Sequence, residues 1–190
     1  KLGAALTARL RELASRSQTT LHAVLLAGFE SLLHIYSGRG LFLIRTLTVG
    51  RSRAAWEPVI GFFANPVVMR VDFREQPSFL EALARSQTRV SEAVDRQDYP
   101  FELLMEGVRF GRRLKFNPMS EVMFVLQAPQ RFLQERRGQK CALADGMFAP
   151  GATGVRVDFG GLLAEKFNPG TRTTLNDIDL QAVEIGGGFR

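Results

Sequence analysis

The hydrophobic positions of the first part of the chain repeat with the period of a helix. From Leu2 to Ser15, Leu6, Leu10, Leu13 and Ala14 fall on one stripe while Arg9, Arg11 and Glu12 fall off it, which predicts an amphipathic helix. Leu21, Val24, Leu25, Gly28, Phe29, Leu32, Leu33 and Tyr36 predict a second helix with a wider apolar face, capped by Ser17 or Thr19 and stopped at Gly38. The period then shortens. "LFLIRTLTV", Leu41 to Val49, is a short strand buried on part of both faces, and "GRSRAAWEP" is the surface loop behind it. "VIGFFANPVVMRVDF" begins as a continuous apolar run and ends as an alternation of Val67, Met69, Val71 and Phe73 against Val68, Arg70 and Asp72. Proline cannot donate to a sheet ladder, so Pro66 marks the first residue of that strand.

Helical spacing returns after Pro77. Ser78 and Glu81 stand at capping-box distance, and Phe79, Leu80, Leu83, Val90, Ala93 and Val94 carry a helix to about Arg96. In "QDYPFELLMEGV", Asp98 is placed to cap a short helix. Pro100 sits in its first turn, with Phe101, Leu104, Met105 and Val108 inward. "SEVMFVLQ", Ser120 to Gln127, reads as a central strand. From Ala128 to Gly170 the periodicity fades, with one short strand expected within "GVRVDFGGLL". "TLNDIDLQAVE" alternates Ile178, Leu180 and Ala182 against Asp177, Asp179 and Gln181, and a turn at Gly186 to Gly188 follows. The element order implies an α/β two-layer sandwich: one mixed β-sheet with helices packed on it, and no internal repeat.

Composition fits a globular chain. Its 190 residues are 45% hydrophobic, enough for one good core. No run approaches the roughly 18 to 20 apolar residues of a membrane span, so no membrane partner is expected. The single Cys141 allows no internal disulfide, and a reducing cytoplasm is the expected location. The formal charge of +6 raises the possibility of a nucleic-acid binder. The arginines, however, are scattered among acids except in "RFGRRLK" and "RFLQERRGQK", and neither cluster lies in a nucleic-acid module. No nucleic acid is expected as a partner. Basic loops of this kind also suit an acidic protein partner.

Catalytic chemistry is scarce. The two histidines, His22 and His34, share one predicted helix but stand about 18 Å apart along it and about 120° apart around it, so they cannot share a metal or a proton. Walker A, G-x-S-x-G, G-x-G-x-x-G and H-E-x-x-H motifs are all missing. Asp177 and Asp179 point the same way on a strand, which strand alternation on the solvent side of an edge strand explains without a metal. No catalytic residue and no metal ligand is assigned.

Four landmarks nevertheless fall in a recognisable order. Gly50-Arg51 is followed by Ile60-Gly61-Phe62-Phe63-Ala64-Asn65, then by Gln97-Asp98-Tyr99-Pro100-Phe101-Glu102-Leu103-Leu104, then by Asn117-Pro118-Met119 leading into Val122-Met123-Phe124. This series resembles the C-terminal half of a nonribosomal peptide synthetase condensation domain, whose motifs read A-G-R, I-G-x-F-V-N-T, H-Q-D-x-P-F-E-x-L and R-D-x-S-R-N-P-L-F-Q-V-M-F. The resemblance runs over essentially the whole chain.

It implies a chloramphenicol-acetyltransferase-like fold of two lobes with the reaction in a tunnel between them. The family's H-H-x-x-x-D-G signature belongs to the N-terminal lobe, so residues 1–190 are expected to be the C-terminal lobe alone and inactive by themselves. The implied reaction joins an acyl or peptidyl thioester to an amine, both presented on the phosphopantetheine arms of upstream and downstream carrier proteins; no cofactor is bound directly. The implied partners are those carriers and the N-terminal lobe. Gly61, Phe62, Phe63 and Asn65 are candidates for tunnel floor or lobe interface, with a core turn shaped by glycine and proline as the plainer reading. Gly50, Arg51, Asp98, Pro100, Phe101, Asn117 and Pro118 are structural motif residues, Arg51 either anchoring the loop through backbone carbonyls or simply exposed. The stretch from Ala128 to Gly170 is the candidate crossover to the other lobe.

The chain departs from the family pattern at Pro66, where threonine is usual, and at Arg96, where histidine is usual. Arg113, Lys115 and Phe116 replace Asp, Ser and Arg. These departures keep a second function in view, a condensation-like module without chemistry that recruits a partner enzyme to the assembly line.

Overall fold

The computed structural model describes residues 1–56, 58–111, 122–127, 156–159, 161–165, 167, 176–185 and 187–189. The helices are α1 (Ala4–Arg16), α2 (Leu21–Ser37), α3 (Phe79–Asp95) and α4 (Phe101–Gly111). The strands are β1 (Leu41–Thr48), β2 (Asn65–Asp72), β3 (Val122–Gln127), β4 (Arg156–Phe159), β5 (Leu162–Glu165), β6 (Ile178–Ile185) and β7 (Gly188–Phe189). A mixed sheet runs in the order β2-β1-β3-β6-β7, and β4 and β5 form a separate hairpin. This is the expected α/β mixed sheet with helices. The chain divides into two compact units, one of Lys1–Leu13, Val125–Thr174 and Leu180–Arg190, the other of Ala14–Phe124 and Leu175–Asp179.

The larger unit is built on β1 and β2, paired antiparallel over eight residues from Leu41↔Asp72 to Thr48↔Asn65. β1 also pairs parallel with β3 through Arg45↔Met123. Ile44, Val67, Met69, Val71 and Phe124 are buried, as the alternation requires, and α2 covers that face. Phe29 and His22 of α2 meet Phe124, and His34 stacks on Phe73 at 4.8 Å. The cap of α2 is Thr20, which is extended and accepts the Ala23 amide at 3.1 Å, rather than Ser17 or Thr19. Thr19 is engaged elsewhere, its hydroxyl donating to Gln87 of α3 at 2.6 Å. Gly38 closes α2 in the left-handed conformation. The Ser78–Glu81 capping box of α3 forms with both of its bonds.

The amide of Phe73 donates to Gly40 O at 2.7 Å, which sets the phase of the β1–β2 ladder. Val71, Met69 and Val67 therefore direct their backbone groups at β1, whereas Asp72, Arg70, Val68 and Pro66 direct theirs away from it. Pro66 is the second residue of β2 and not the first. It is tolerated there because its missing N–H faces the free edge, so no ladder bond is lost.

α2 and α3 pack together, and each buries small residues, Ala23 and Ala27 on α2 and Ala82 and Ser86 on α3. Between them lies an ion pair: Arg89 Nη2 donates to Glu30 Oε2 at 2.6 Å, with the Glu30 side chain fully buried. Burial raises the Glu30 carboxyl above its ordinary value, and the Arg89 charge pulls it part of the way back.

In the smaller unit, Leu2 and Phe189 exchange both backbone bonds at 2.9 Å. Gly188 allows that approach, since a Cβ there would stand 2.6 Å from Leu2 O. Arg11 pairs with Glu184 at 2.5 Å. The sequence predicted one strand within "GVRVDFGGLL"; there are two, β4 and β5, joined by the tight turn that Gly161 permits at φ +96. β6 lies between β3 and β7, so it is not the edge strand expected, although Asp177 and Asp179 are exposed as the solvent-side reading requires. Asp179 also accepts from Asn176 Nδ2 at 3.3 Å.

Candidate functional site

The three N-terminal landmark segments form one hydrogen-bonded assembly at the start of β2. Gly50 has φ +64, and a Cβ there would stand 1.7 Å from Phe63 O, so the position admits only glycine. That turn aims Arg51 back across the loop. Its guanidinium donates to the carbonyls of Trp56, Val59 at 2.9 Å and Gly61 at 3.5 Å, and lies 4.3 Å over the Phe63 ring. One planar cation thus gathers carbonyls that the irregular backbone leaves without ladder partners. Phe63 packs in turn on Trp56 at 6.1 Å.

Asn65 ties this loop to the third segment. Its Nδ2 donates to Gln97 O and Tyr99 O, both at 2.8 Å, and its Oδ1 accepts the Phe101 amide at 3.1 Å. The side chain therefore satisfies two carbonyls of the α3–α4 turn and one orphan amide of α4. This corrects the expectation that Asp98 caps α4. Asp98 instead accepts from the Ser52 hydroxyl at 3.0 Å, a second tie between the segments. Pro100 immediately precedes the helix and its carbonyl accepts the Leu104 amide. The structure brings together Gly50, Arg51, Gly61, Phe63, Asn65, Asp98, Pro100 and Phe101. Phe62 stands apart, 91% exposed, beside Ile60 at 101%. Asn117, Pro118, Arg113, Lys115, Phe116 and Cys141 lie outside the described residues.

The histidines are structural in their surroundings. His22 meets Phe124 edge-on at 5.4 Å, and burial lowers its pKa. His34 Nδ1 lies 2.9 Å from Arg39 O. Among the described residues no group of three or more metal-ligating side chains occurs, and no helix is long and apolar enough to cross a membrane.

Two features escaped the sequence reading. Arg45 projects from the opposite face of β1 to Ile44. It is bonded to Asn176 Oδ1 and lies 5.4 Å from the Phe101 ring, with Asp179 offsetting part of its desolvation. A charge in mid-strand was the available signal. The second is a groove of about 770 Å³ along β2, bordered by α3 and the start of α4.

An α/β sheet carrying this tied set of motif segments points to the condensation-domain family, and comparison with known proteins agrees. The condensation-domain family model matches residues 1–189, and the chain belongs to that family. One of the linear gramicidin synthase proteins of Brevibacillus parabrevis is 42% identical over 142 residues, 75% of this chain and 3% of that protein. Phosphinothricin tripeptide synthetase PhsC of Streptomyces viridochromogenes is 42% identical over 126 residues, 66% of this chain and 12% of that protein. The chain therefore spans a small part of the curated relatives it matches. In structure it is similar to a four-domain nonribosomal peptide synthetase bound to AMP and glycine, with TM-score 0.81 and 20% identity over 99% of this chain and 14% of that one. It is also similar to the X-domain from teicoplanin biosynthesis, with TM-score 0.59 and 31% identity over 66% of this chain and 28% of that one.

Proposed function

We propose that this chain is the C-terminal lobe of an amide-forming condensation domain. In that reading a donor carrier protein presents an acyl or peptidyl thioester and an acceptor carrier an amine, each on a phosphopantetheine arm. The amine attacks the thioester carbonyl, the carbon–sulfur bond breaks and the thiol stays on the donor arm. The observation that carries the reading is the 42% identity to a linear gramicidin synthase across three quarters of the chain. The histidine signature would lie in an N-terminal lobe, since the only histidines in this sequence are His22 and His34. A cytoplasmic location belongs to the same proposal.

Within it, Gly61, Phe62, Phe63 and Asn65 divide into two roles. Asn65 and Phe63 hold the loop, and Phe62 with Ile60 supplies apolar surface to the opposing lobe. The crossover is assigned to residues 128–170, supported by the β4–β5 hairpin. Leu162 and Leu163 point to opposite faces of β5 and are 75% and 69% exposed, so both faces of the hairpin lack cover.

The test is a condensation assay on the full two-lobed protein with loaded donor and acceptor carriers, read as amide product on the acceptor by intact mass. The full protein is expected to give product and the 190-residue chain alone none. Product from this chain alone would overturn the lobe assignment. Lobes still associated at full strength after deletion of residues 128–170 would overturn the crossover.

The second reading, a condensation-like module that recruits a partner enzyme, is kept because a teicoplanin X-domain similar to this chain, at 31% identity, has been solved in complex with OxyB. A full protein that makes no amide yet binds a second enzyme of the pathway would favour it. The higher identity to the synthetases favours the first.

A further inference from the structure

Among the described residues β2 is the outermost strand of its sheet, and its free edge lies open within a groove. Exposed edges are usually blunted by charge, bulges or a covering element, because unpaired N–H and C=O groups pair with other chains. Here helices flank the edge without filling the space. α3 lies on the α2 side, as its contacts with α2 and the Arg89–Glu30 pair show. The start of α4 lies toward the other side, where Phe101 meets Arg45, the ladder partner of Val68. The α3–α4 turn, pinned by Asn65, closes one end. The result is a clasp around the backbone groups of Val68, Arg70 and Asp72, which the ladder phase turns away from β1.

The two walls differ chemically. The α3 wall presents Arg85, Arg89, Arg96 and Glu92; Arg89 is held by buried Glu30 and Arg85 by the exposed Glu75 at 2.8 Å, which leaves Arg96 as the most loosely held cation. Arg96 reaches Glu92 only at 3.8 Å, with both side chains well exposed. The α4 wall presents Tyr99, Phe101 and Leu104. Arg70 and Asp72, on the strand itself, project on the face of Val68, toward α4, and Arg70 is exposed.

The geometry points to β2 as a strand-addition site: the clasp takes up an extended segment of an acidic polypeptide partner as an added strand beside β2. Successive side chains of a strand point to opposite faces, so the segment alternates acidic residues toward α3 with apolar residues toward α4. The length from Pro66 to Asp72 accommodates about seven residues at about 3.3 Å each. Main-chain bonds to Val68, Arg70 and Asp72 supply affinity, and the unlike walls set the register.

The experiment titrates the full-length protein with a fluorescein-labelled seven-residue peptide alternating glutamate and valine, read by anisotropy. Saturable binding is expected. N-methylation of alternate peptide amides in one register should weaken it at least tenfold while the other register leaves it unchanged, since only one set of amides faces β2. Lysine in place of every glutamate should also weaken it at least tenfold. Val68→Pro removes a groove-facing donor without a ladder bond to β1 and should have the same effect. The N-methylated pair decides the matter should that variant not fold, because it leaves the protein untouched. No binding, equal weakening in both N-methyl registers, or tolerance of the lysine peptide overturns the assignment. So does displacement of the peptide by an equal concentration of pantetheine, another amide chain, which would mark the groove as a channel for a carrier arm.

Discussion

Gly50, Arg51 and Asn65 act together because each answers a backbone demand created by its neighbours. Gly50→Ala should cost about 1–2 kcal/mol for the left-handed backbone and more for the collision with Phe63 O, measured by chemical denaturation. Asn65→Ala removes three hydrogen bonds and should cost about 2–3 kcal/mol at about 1 kcal/mol each. Asn65→Asp keeps an acceptor for the Phe101 amide but sets a carboxylate against two carbonyls, so it should be no better tolerated than alanine. A variant with Asp at full stability would remove Asn65 from this role. Arg51→Lys keeps the charge but not the planar fork, and limited proteolysis within residues 51–64 should accelerate. The identities of these residues were legible in the sequence as motif letters. Their partnership was not, because Asn65 and Phe101 are brought together only by the path of α3 around the strand.

At the scale of elements, helix periods, the α2 glycine stop, the α3 capping box and the β1 and β2 strands could all be read from spacing, since each is decided by local chemistry. What spacing could not supply was which helix faces meet. Glu30 lies off the apolar stripe of α2, yet Ala23, Ala27 and Glu30 are all buried and form a second face of the helix, with Glu30 paired to Arg89 of α3. A buried pair at that contact stabilises little in net terms, because desolvation offsets most of the attraction, but losing one partner leaves a charge uncompensated. Arg89→Ala should therefore cost about 3–5 kcal/mol, whereas joint replacement of Glu30 and Arg89 by leucine and methionine should be neutral or stabilising by about 1–4 kcal/mol. A double-mutant cycle by urea denaturation checks both. A joint replacement as damaging as Arg89→Ala alone would show that the contact needs its charges.

For the whole molecule, two buried groups pull the pH dependence of stability in opposite directions. Burial lowers the His22 pKa below 6.5, so the unfolded chain takes up its proton first as pH falls. Its contribution is complete above pH 6.5 and is lost as pH drops from there through the folded value. Glu30 is raised above 4.5, so its contribution is complete below 4.5 and is lost as pH rises through its folded value. Between pH 7.5 and 5.5 the urea midpoint of the wild type should fall more than that of His22→Leu, and equal slopes would show that His22 does not titrate in that window. The apolar surface carries the remaining prediction. Ile60 and Phe62 protrude from a loop that Arg51 and Asn65 hold in shape, so presenting them to a partner costs little ordering entropy. Fully exposed aromatic and aliphatic side chains on a pre-shaped loop suit an interface anchor. If the opposing lobe covers them, Ile60→Ser with Phe62→Ser should leave the stability of this lobe unchanged while weakening association of separately produced lobes at least tenfold, measured by calorimetry. Undiminished association would place the interface elsewhere and leave the loop as surface.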